Sequence, residues 1–177
     1  MIAHGVRLTQ PVYRAHNPKF SYEPASGEGA RKHGGRFNPQ GVKALYTSLT
    51  LEAAWAEAAQ GFGHKVQPMT ICSYEVDCAD VLDLTAPATL DAHDITPEML
   101  SCAWRLDRDS RRTPASWAVY DKLSVLGVAG IIVPSYAVSA KPGAQNVVFW
   151  DWGDTPPHMV KVVDDYGRLP KRPKSFE

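Results

Sequence analysis

Short apolar runs of strand length recur along this chain, and they constrain its fold more than any other feature. Helix signals are fewer: an alanine-rich stretch at residues 51–60 and helix starts at residues 96–98 and 113–114. Because strands outnumber helices and do not alternate regularly with them, the pattern favours an α+β fold over a doubly wound sheet. The strand runs are residues 11–16, 42–47, 69–77, 81–84, 130–135, 146–150 and 159–163.

The length of 177 residues suits a single domain, 1–177, with a substantial core. We expect this core to span about residues 12–165 and the basic, proline-containing tail at residues 166–177 to fray. Lysine plus arginine number 19, as do aspartate plus glutamate, so the formal net charge is zero. Proteins that coat nucleic acid usually carry a basic excess, so direct nucleic acid binding is not expected.

The cysteines and the N-terminal residues indicate the compartment. Cys72, Cys78 and Cys102 are odd in number and lack CxxC spacing, which disfavours a disulfide framework or a zinc cage and fits a reducing compartment. The first residues show no apolar leader region, and no apolar run approaches the roughly 18 residues of a membrane span. We therefore expect a soluble, cytoplasmic protein with no membrane partner.

The segments between these runs are predicted to be loops and turns. Residues 17–35 are rich in Gly, Pro and Ser and predict a long loop. Residues 36–38 are predicted to be extended, and residues 39–41 to turn. Residues 86–95 are predicted to be a connection, and the arginine-rich residues 105–112 a solvated, partly self-paired loop.

The stretch at residues 34–57 carries the most chemically informative side chains. Arg36 follows Gly34 and Gly35, which permit close approach of a ligand, and its guanidinium suits a pyrophosphate. The alternative for Arg36 alone is a pairing with a surface carboxylate. Tyr46 ends an apolar strand and is either a core tyrosine with a satisfied hydroxyl or an exposed face for a nicotinamide ring.

Glu57 lies on the alanine-rich helix predicted at residues 51–60. Ser48 or Thr50 can cap this helix, and Gly61 suits its C′ position. The near neighbours of Glu57 along the helix are small and apolar. A carboxylate in a cleft can bond a ribose hydroxyl and stabilise positive charge at an anomeric carbon, whereas the alternative is a glutamate on the solvated side of the helix.

Polar residues outside this stretch are further candidates for a functional site. Ser135 ends GIIVPS, where strand ends often present ligand contacts, although an ordinary turn serine has the same pattern; without a GxSxG elbow it is not predicted to be a hydrolase nucleophile. Asn146 opens NVVFW and either contacts a ribose or ties down a turn. Asp91, His93 and Asp94 lack a helical histidine pair, so no metal site is predicted. Neither GxGxxG nor GxxxxGK[ST] is present.

Together these residues resemble the RES domain family, named for an arginine, a glutamate and a serine. The matching runs are YRAH, GGRFNPQG, LYTS, EAAWAE, GIIVPS and NVVFW, which extend from about residue 12 to residue 150. The three family residues match Arg36, Glu57 and Ser135, and Tyr46 matches the family's usual tyrosine.

The resemblance implies an ADP-ribosyltransferase-like fold, with a mixed sheet core and flanking helices, in the toxin of a bacterial type II toxin–antitoxin pair. Such toxins consume NAD+ as a substrate, by hydrolysis or phosphorolysis, or transfer ADP-ribose to a cellular protein. The expected partner is a cognate Xre-like DNA-binding antitoxin that blocks the active site. No metal is implied.

Expected site roles follow from the same resemblance. Glu57 would bond the nicotinamide ribose and stabilise the cation as nicotinamide leaves, with Arg36 and Tyr46 completing the catalytic set. Arg36 would hold the pyrophosphate, and Tyr46 would pack on the nicotinamide end. The expected NAD-binding residues are Arg14, Arg36, Tyr46, Ser135 and Asn146.

Two other classes of function stay open on the residues alone. A non-enzymatic nucleic-acid or protein-binding module would use Arg36, residues 105–112 and the tail, and its binding to nucleic acid would depend strongly on salt. A metal hydrolase would show chelator-sensitive activity.

Overall fold

The structure is a computed structural model that describes residues 4–60 and 66–173. In that part of the chain it contains seven strands and six helices. The strands are β1 (Gly5–Leu8), β2 (Val12–His16), β3 (Leu45–Ser48), β4 (Thr70–Asp83), β5 (Gly130–Pro134), β6 (Gln145–Phe149) and β7 (His158–Val162). The helices are α1 (Glu28–His33), α2 (Leu51–Ala59), α3 (Pro87–Ala92), α4 (Pro97–Ser101), α5 (Trp104–Asp109) and α6 (Trp117–Ser124).

All seven strands join one sheet in the order β1-β4-β2-β3-β6-β5, with β7 also paired to β4. A further pairing of β4 with β5 closes β4, β2, β3, β6 and β5 into a ring. Among the described strands, β4 and β5 run parallel and the other pairs antiparallel. The predicted α+β class, with a mixed sheet and flanking helices, is therefore confirmed.

Strand β6 explains why an unbroken apolar run occurs in this sheet. Val147 and Phe149 belong to one buried cluster, whereas Val148 belongs to a second cluster that also contains Leu100 and Leu123 of the helices. Both faces of β6 are therefore covered, so alternation with polar residues is not required. Fully burying each such side chain contributes about 1.5–3 kcal/mol.

Strand β4 corrects the prediction of two separate strands at residues 69–77 and 81–84. It is a single strand of 14 residues that pairs with β2, β7, β1 and β5 in turn. Asp80 adopts a φ of 58°, an irregularity within the strand that breaks its sequence pattern without ending it. The other strand predictions are confirmed within a few residues, although β3 begins at Leu45 rather than at residue 42 and β1 was not predicted. The helix predicted to start at residues 113–114 begins at Trp117, because its N–H first closes a turn with the Pro114 carbonyl at 3.1 Å.

The main errors concern short helices that were predicted as loops. The loop at residues 17–35 contains a 3₁₀ turn (Pro18–Phe20) and α1, the connection at residues 86–95 contains α3, and residues 105–112 include most of α5. Each has six residues or fewer, too short for an apolar stripe, and helices of this length depend on tertiary contacts for their stability.

Helix α2 confirms its predicted cap. The Thr50 hydroxyl accepts a hydrogen bond from the Ala53 N–H at 3.1 Å, and Gln60 ends the helix in the left-handed conformation. The C′ prediction for Gly61 and the end of the predicted tail, residues 174–177, lie outside the described residues. No helix within residues 4–60 and 66–173 has the length and apolar character needed to cross a bilayer.

Candidate active site

A cavity of about 1020 Å³ lies where β2 and β3 separate. These strands share one residue pair, Tyr13 with Ser48, and both residues are in the cavity wall. The volume is at the upper end of the roughly 300–1,000 Å³ typical of small-molecule sites. The wall is built from α1 and the turn after it, β2, β3, α2, α5, β6, and the end of β5 with the segment that follows it.

The structure brings most of the sequence-predicted site residues to this cavity. Arg14, Arg36, Tyr46, Glu57 and Asn146 all line it. Ser135 is not among the described residues that line the cavity, although its neighbours Pro134 and Tyr136 are. Its hydroxyl donates a hydrogen bond to the Glu57 carboxylate at 2.7 Å.

Arg36 lies in a tight turn rather than in the extended segment predicted at residues 36–38. Gly34 ends α1 with a φ of 70°, and Gly35 and Asn38 then pair across the turn. Asn38 is fully buried, and its amide donates to the carbonyls of Ala30 and Val42 at 2.9 Å. These bonds from the Asn38 side chain to nearby backbone close the turn. Such local bonds compete with the hydrogen bonds of a strand, and the sequence pattern alone does not show which of the two forms.

The Arg36 guanidinium is half-buried and held on one side. Its Nη1 donates to the carbonyls of Leu100 at 3.1 Å and Cys102 at 2.7 Å, and its Cζ lies 4.6 Å from the centre of the Tyr136 ring. Burial lowers the pKa of Arg36, and neighbouring groups that include Glu57 offset part of this effect. A guanidinium has five N–H donors and stays charged in proteins, so it retains capacity for an anion.

Tyr46 contributes its ring to the cavity but not a free hydroxyl. The hydroxyl donates to Asn38 Oδ1 at 2.7 Å and accepts from the Phe37 N–H at 2.9 Å. Burial raises the pKa of Tyr46, which keeps the phenol neutral. The Tyr46 hydroxyl is therefore satisfied within the fold while Tyr46 also lines the cavity, and a contact of its ring with nicotinamide stays a prediction.

Glu57 is held by a network of side chains from distant parts of the chain. Asn146 Nδ2 donates to Glu57 Oε1 at 2.5 Å, and Ser135 Oγ donates to the same oxygen. The Ser48 hydroxyl donates to Asn146 Oδ1 at 2.7 Å, which fixes the orientation of that amide. The Ala137 N–H donates to Ser135 Oγ at 3.3 Å, so this hydroxyl is also oriented.

The two carboxylate oxygens of Glu57 consequently differ. Within the described residues both hydrogen bonds fall on Oε1, and Oε2 has no protein partner. Glu57 is partly exposed and lines the cavity, so its carboxylate can meet a ligand there while Oε1 anchors the side chain.

Arg14 supplies a second cation on the β2 side of the cavity. Its Nη1 donates to the Pro24 carbonyl at 3.0 Å, which ties β2 to the segment before α1. Its side chain is partly exposed, so donors not used in this bond can reach a ligand.

Sequence reasoning missed the contribution of α5 and of Tyr136. Trp104 and Arg105 line the cavity, and Arg105 Nη1 reaches Gln60 Oε1, just beyond α2, at 3.4 Å. Arg105 and Arg108 both lie against the Trp104 ring, with Cζ atoms 5.4 and 5.3 Å from its centre. Trp104 beside the arginine run was the sequence feature that could have indicated this cluster, because cations commonly lie over tryptophan faces.

These features define an α+β protein with a cavity in which guanidinium groups and a carboxylate face a common space. The sequence matches the RES domain family over residues 11–172, and the chain belongs to that family. No curated protein matches the sequence.

A solved structure gives independent support for the fold. A chain of the M. tuberculosis MbcT–MbcA toxin–antitoxin complex matches with a TM-score of 0.62 and 21% sequence identity, over 90% of this chain and 84% of that chain. At this level of identity the likeness shows a shared fold. The predicted membership of the RES domain family is thus confirmed, whereas the roles of individual site residues stay predictions.

Proposed function

We propose that this protein is the toxin of a toxin–antitoxin pair and that it consumes NAD+ by cleaving the bond between nicotinamide and ribose. One observation carries the proposal: Arg36 and Glu57 line the same cavity of about 1020 Å³, with the Glu57 carboxylate anchored there through Oε1. A dinucleotide offers a pyrophosphate for the cation and a ribose with a cationic leaving group for the carboxylate.

The cations would bind and orient the pyrophosphate. Arg36 is already held by the Leu100 and Cys102 carbonyls through Nη1, so its remaining N–H groups are pre-oriented for an anion. Arg14 would contribute from the β2 side of the cavity. The Tyr46 ring would pack against the nicotinamide end, since its hydroxyl is engaged within the turn.

Glu57 would stabilise the developing charge during bond cleavage. The bond from the ribose anomeric carbon to the nicotinamide nitrogen breaks, nicotinamide leaves as a neutral molecule with the electron pair, and the ribose becomes an oxocarbenium-like cation. Oε2 would bond a ribose hydroxyl and lower the energy of this cation. Asn146 and Ser135 would act through Oε1 by holding the carboxylate in place.

An acceptor then completes the reaction at the anomeric carbon. Water would give ADP-ribose, inorganic phosphate would give the 1″-phosphate of ADP-ribose, and a protein side chain would become ADP-ribosylated. In each case the acceptor oxygen or nitrogen forms the new bond and loses its proton to solvent.

The partner would be an antitoxin that covers the cavity. The support is the shared fold with a chain of a toxin–antitoxin complex. We propose a cognate Xre-like DNA-binding protein in this role, acting from the cytoplasm with the toxin. Purified antitoxin from the neighbouring gene should inhibit the enzyme at a one-to-one ratio.

The test is to incubate the purified protein with NAD+ in three parallel reactions: phosphate-free buffer, added inorganic phosphate, and a cell lysate with labelled NAD+. Nicotinamide release in buffer indicates hydrolysis, strong stimulation by phosphate indicates phosphorolysis, and label on a lysate protein indicates transfer. If none of the three reactions releases nicotinamide, the proposed function is wrong.

A further inference from the structure

Three consecutive carbonyls in the Arg36 turn each accept a hydrogen bond from a side chain. The Trp117 indole N–H donates to the Gly35 carbonyl at 2.8 Å, and the Ser116 hydroxyl donates to the Arg36 carbonyl. The Trp150 indole N–H donates to the Phe37 carbonyl at 3.0 Å. Gly35 and Phe37 are buried, so the carbonyls of this turn need partners within the protein, and here all three partners are side chains.

The donors come from elements far from the turn in sequence. Ser116 is fully buried at the start of α6, and Trp117 is the first residue of that helix. Trp150 directly follows β6 and packs edge-on against Tyr120 of α6, with ring centres 5.2 Å apart. The turn is therefore attached to two rigid elements, and none of the three donors belongs to the cavity wall built from the described residues.

The Arg36 side chain is held separately from its backbone. The carbonyls of Leu100, in the last turn of α4, and of Cys102, directly after it, bind the guanidinium, while α6 and the end of β6 bind the turn. Both ends of this long side chain are thus fixed, which removes rotational freedom that an arginine normally loses on binding an anion.

We propose that Trp117, Ser116 and Trp150 are positioning residues that fix the Arg36 turn so that the guanidinium meets its anion pre-oriented. This inference rests on the proposed function for the identity of the anion, the pyrophosphate of NAD+. The three residues act through Arg36 and do not touch the substrate. A misplacement of about 1 Å in a positioned group can change a rate or affinity on the order of 100-fold.

The effect should appear in KM and not in kcat. Arg36 would hold the pyrophosphate equally in the ground state and in the transition state, and loss of such uniform binding raises KM while kcat is unchanged. We expect Trp117→Phe and Trp150→Phe to raise the KM for NAD+ on the order of 10-fold. Phenylalanine keeps most of the ring packing and removes the indole N–H donor.

The chain offers a matched control in Trp152. Its indole N–H also donates to a backbone carbonyl at 3.0 Å, but to Ala25, outside the Arg36 turn. Trp152→Phe removes the same kind of bond at similar partial burial. Any general loss of stability should therefore affect all three variants, whereas a change in KM should be confined to Trp117→Phe and Trp150→Phe.

A second measurement keeps the inference testable without catalysis. The side-chain Nε–H signal of Arg36, assigned in an NMR spectrum by its loss in Arg36→Lys, reports the order of the guanidinium. It should be sharp in the wild type and in Trp152→Phe and exchange-broadened in Trp117→Phe and Trp150→Phe.

The outcomes separate this inference from the proposed function. If the wild type cleaves NAD+ and all three tryptophan variants show the same KM, the positioning role is refuted and the function stands. If the wild type does not cleave NAD+, the function fails, and the Arg36 signal alone decides whether the tryptophans order the guanidinium. A signal that is equally sharp in all variants overturns the inference.

Discussion

Gly35 is the position where a single methyl group should do most damage to the Arg36 turn. A Cβ at residue 35 would overlap the Tyr46 hydroxyl oxygen and would lie 2.6 Å from Asn38 Oδ1. Gly35 does not have a positive φ, so the penalty of Gly35→Ala is steric and not conformational. The overlap falls on the hydroxyl that joins the Phe37 N–H to Asn38.

The size of the effect follows from two contributions. Overpacking a well-packed site costs about 1–3 kcal/mol, and loss of one hydrogen bond at the displaced hydroxyl costs about 0.5–1.5 kcal/mol. We therefore expect Gly35→Ala to lower the free energy of unfolding by about 2–4 kcal/mol. For a chain of this size that corresponds to a decrease in Tm of about 5–15 °C.

The assay is thermal or denaturant unfolding of Gly35→Ala beside Gly153→Ala. A Cβ on Gly153 meets nothing within 4 Å and its φ is not positive, so this control should stay within about 0.5 kcal/mol of the wild type. Equal stability of Gly35→Ala and the wild type would show that Tyr46 and Asn38 pack less tightly against Gly35 than these distances indicate. The basis for a pre-oriented Arg36 would then be lost.

Two further predictions concern His16 and the network around Glu57. Burial, together with Arg14, lowers the pKa of His16 from 6.5 to about 4, so the fold favours its neutral form. The contribution of His16 to the free energy of unfolding should therefore be fully present above pH 6.5 and fall by about 3 kcal/mol as the pH decreases to 4. Unfolding at several pH values should show that His16→Gln lacks this component, and an unchanged pH slope would contradict the assignment. Ser135→Ala and Asn146→Ala each remove a hydrogen bond to the Glu57 carboxylate, worth about 1.5–3 kcal/mol, so each should lower kcat about 10- to 100-fold with little change in KM. A rise in KM alone for Ser135→Ala would instead indicate direct contact with the dinucleotide.

Six of the seven described strands were predictable from their apolar runs, whereas β1, with three exposed residues, was not. Two helices were predictable from their caps, and α6, which lacks a side-chain cap bond, was predicted with its start misplaced. Thr50 and Thr96 each precede a helix and accept a bond from its first turn, and both helix starts are readable from local residue types. Helix α5 lacks a side-chain cap bond and an apolar stripe, so its arginines predicted a solvated loop. Its place in the cavity wall depends on tertiary packing that local pattern does not encode.

The site was predictable as a set of residue types and not as a network. Arg36, Tyr46 and Glu57 lie close in sequence, so their grouping could be proposed from spacing. The bonds that orient them come from partners between 64 and 113 residues away, apart from the Tyr46 link to the turn. That the Glu57 carboxylate is anchored by Ser135 and Asn146 through Oε1 is visible only in three dimensions.

The central claim is that Glu57 provides the charge that supports cleavage of NAD+. The most direct test is nicotinamide release from NAD+ by the wild type, Glu57→Gln and Glu52→Gln. Glutamine preserves an oxygen that accepts from Asn146 and Ser135 and removes the negative charge, and Glu52 is an exposed glutamate in the first turn of the same helix. We expect Glu57→Gln to lose on the order of 10²–10⁴ in kcat while Glu52→Gln matches the wild type. Nicotinamide release by Glu57→Gln at the wild-type rate would contradict the account.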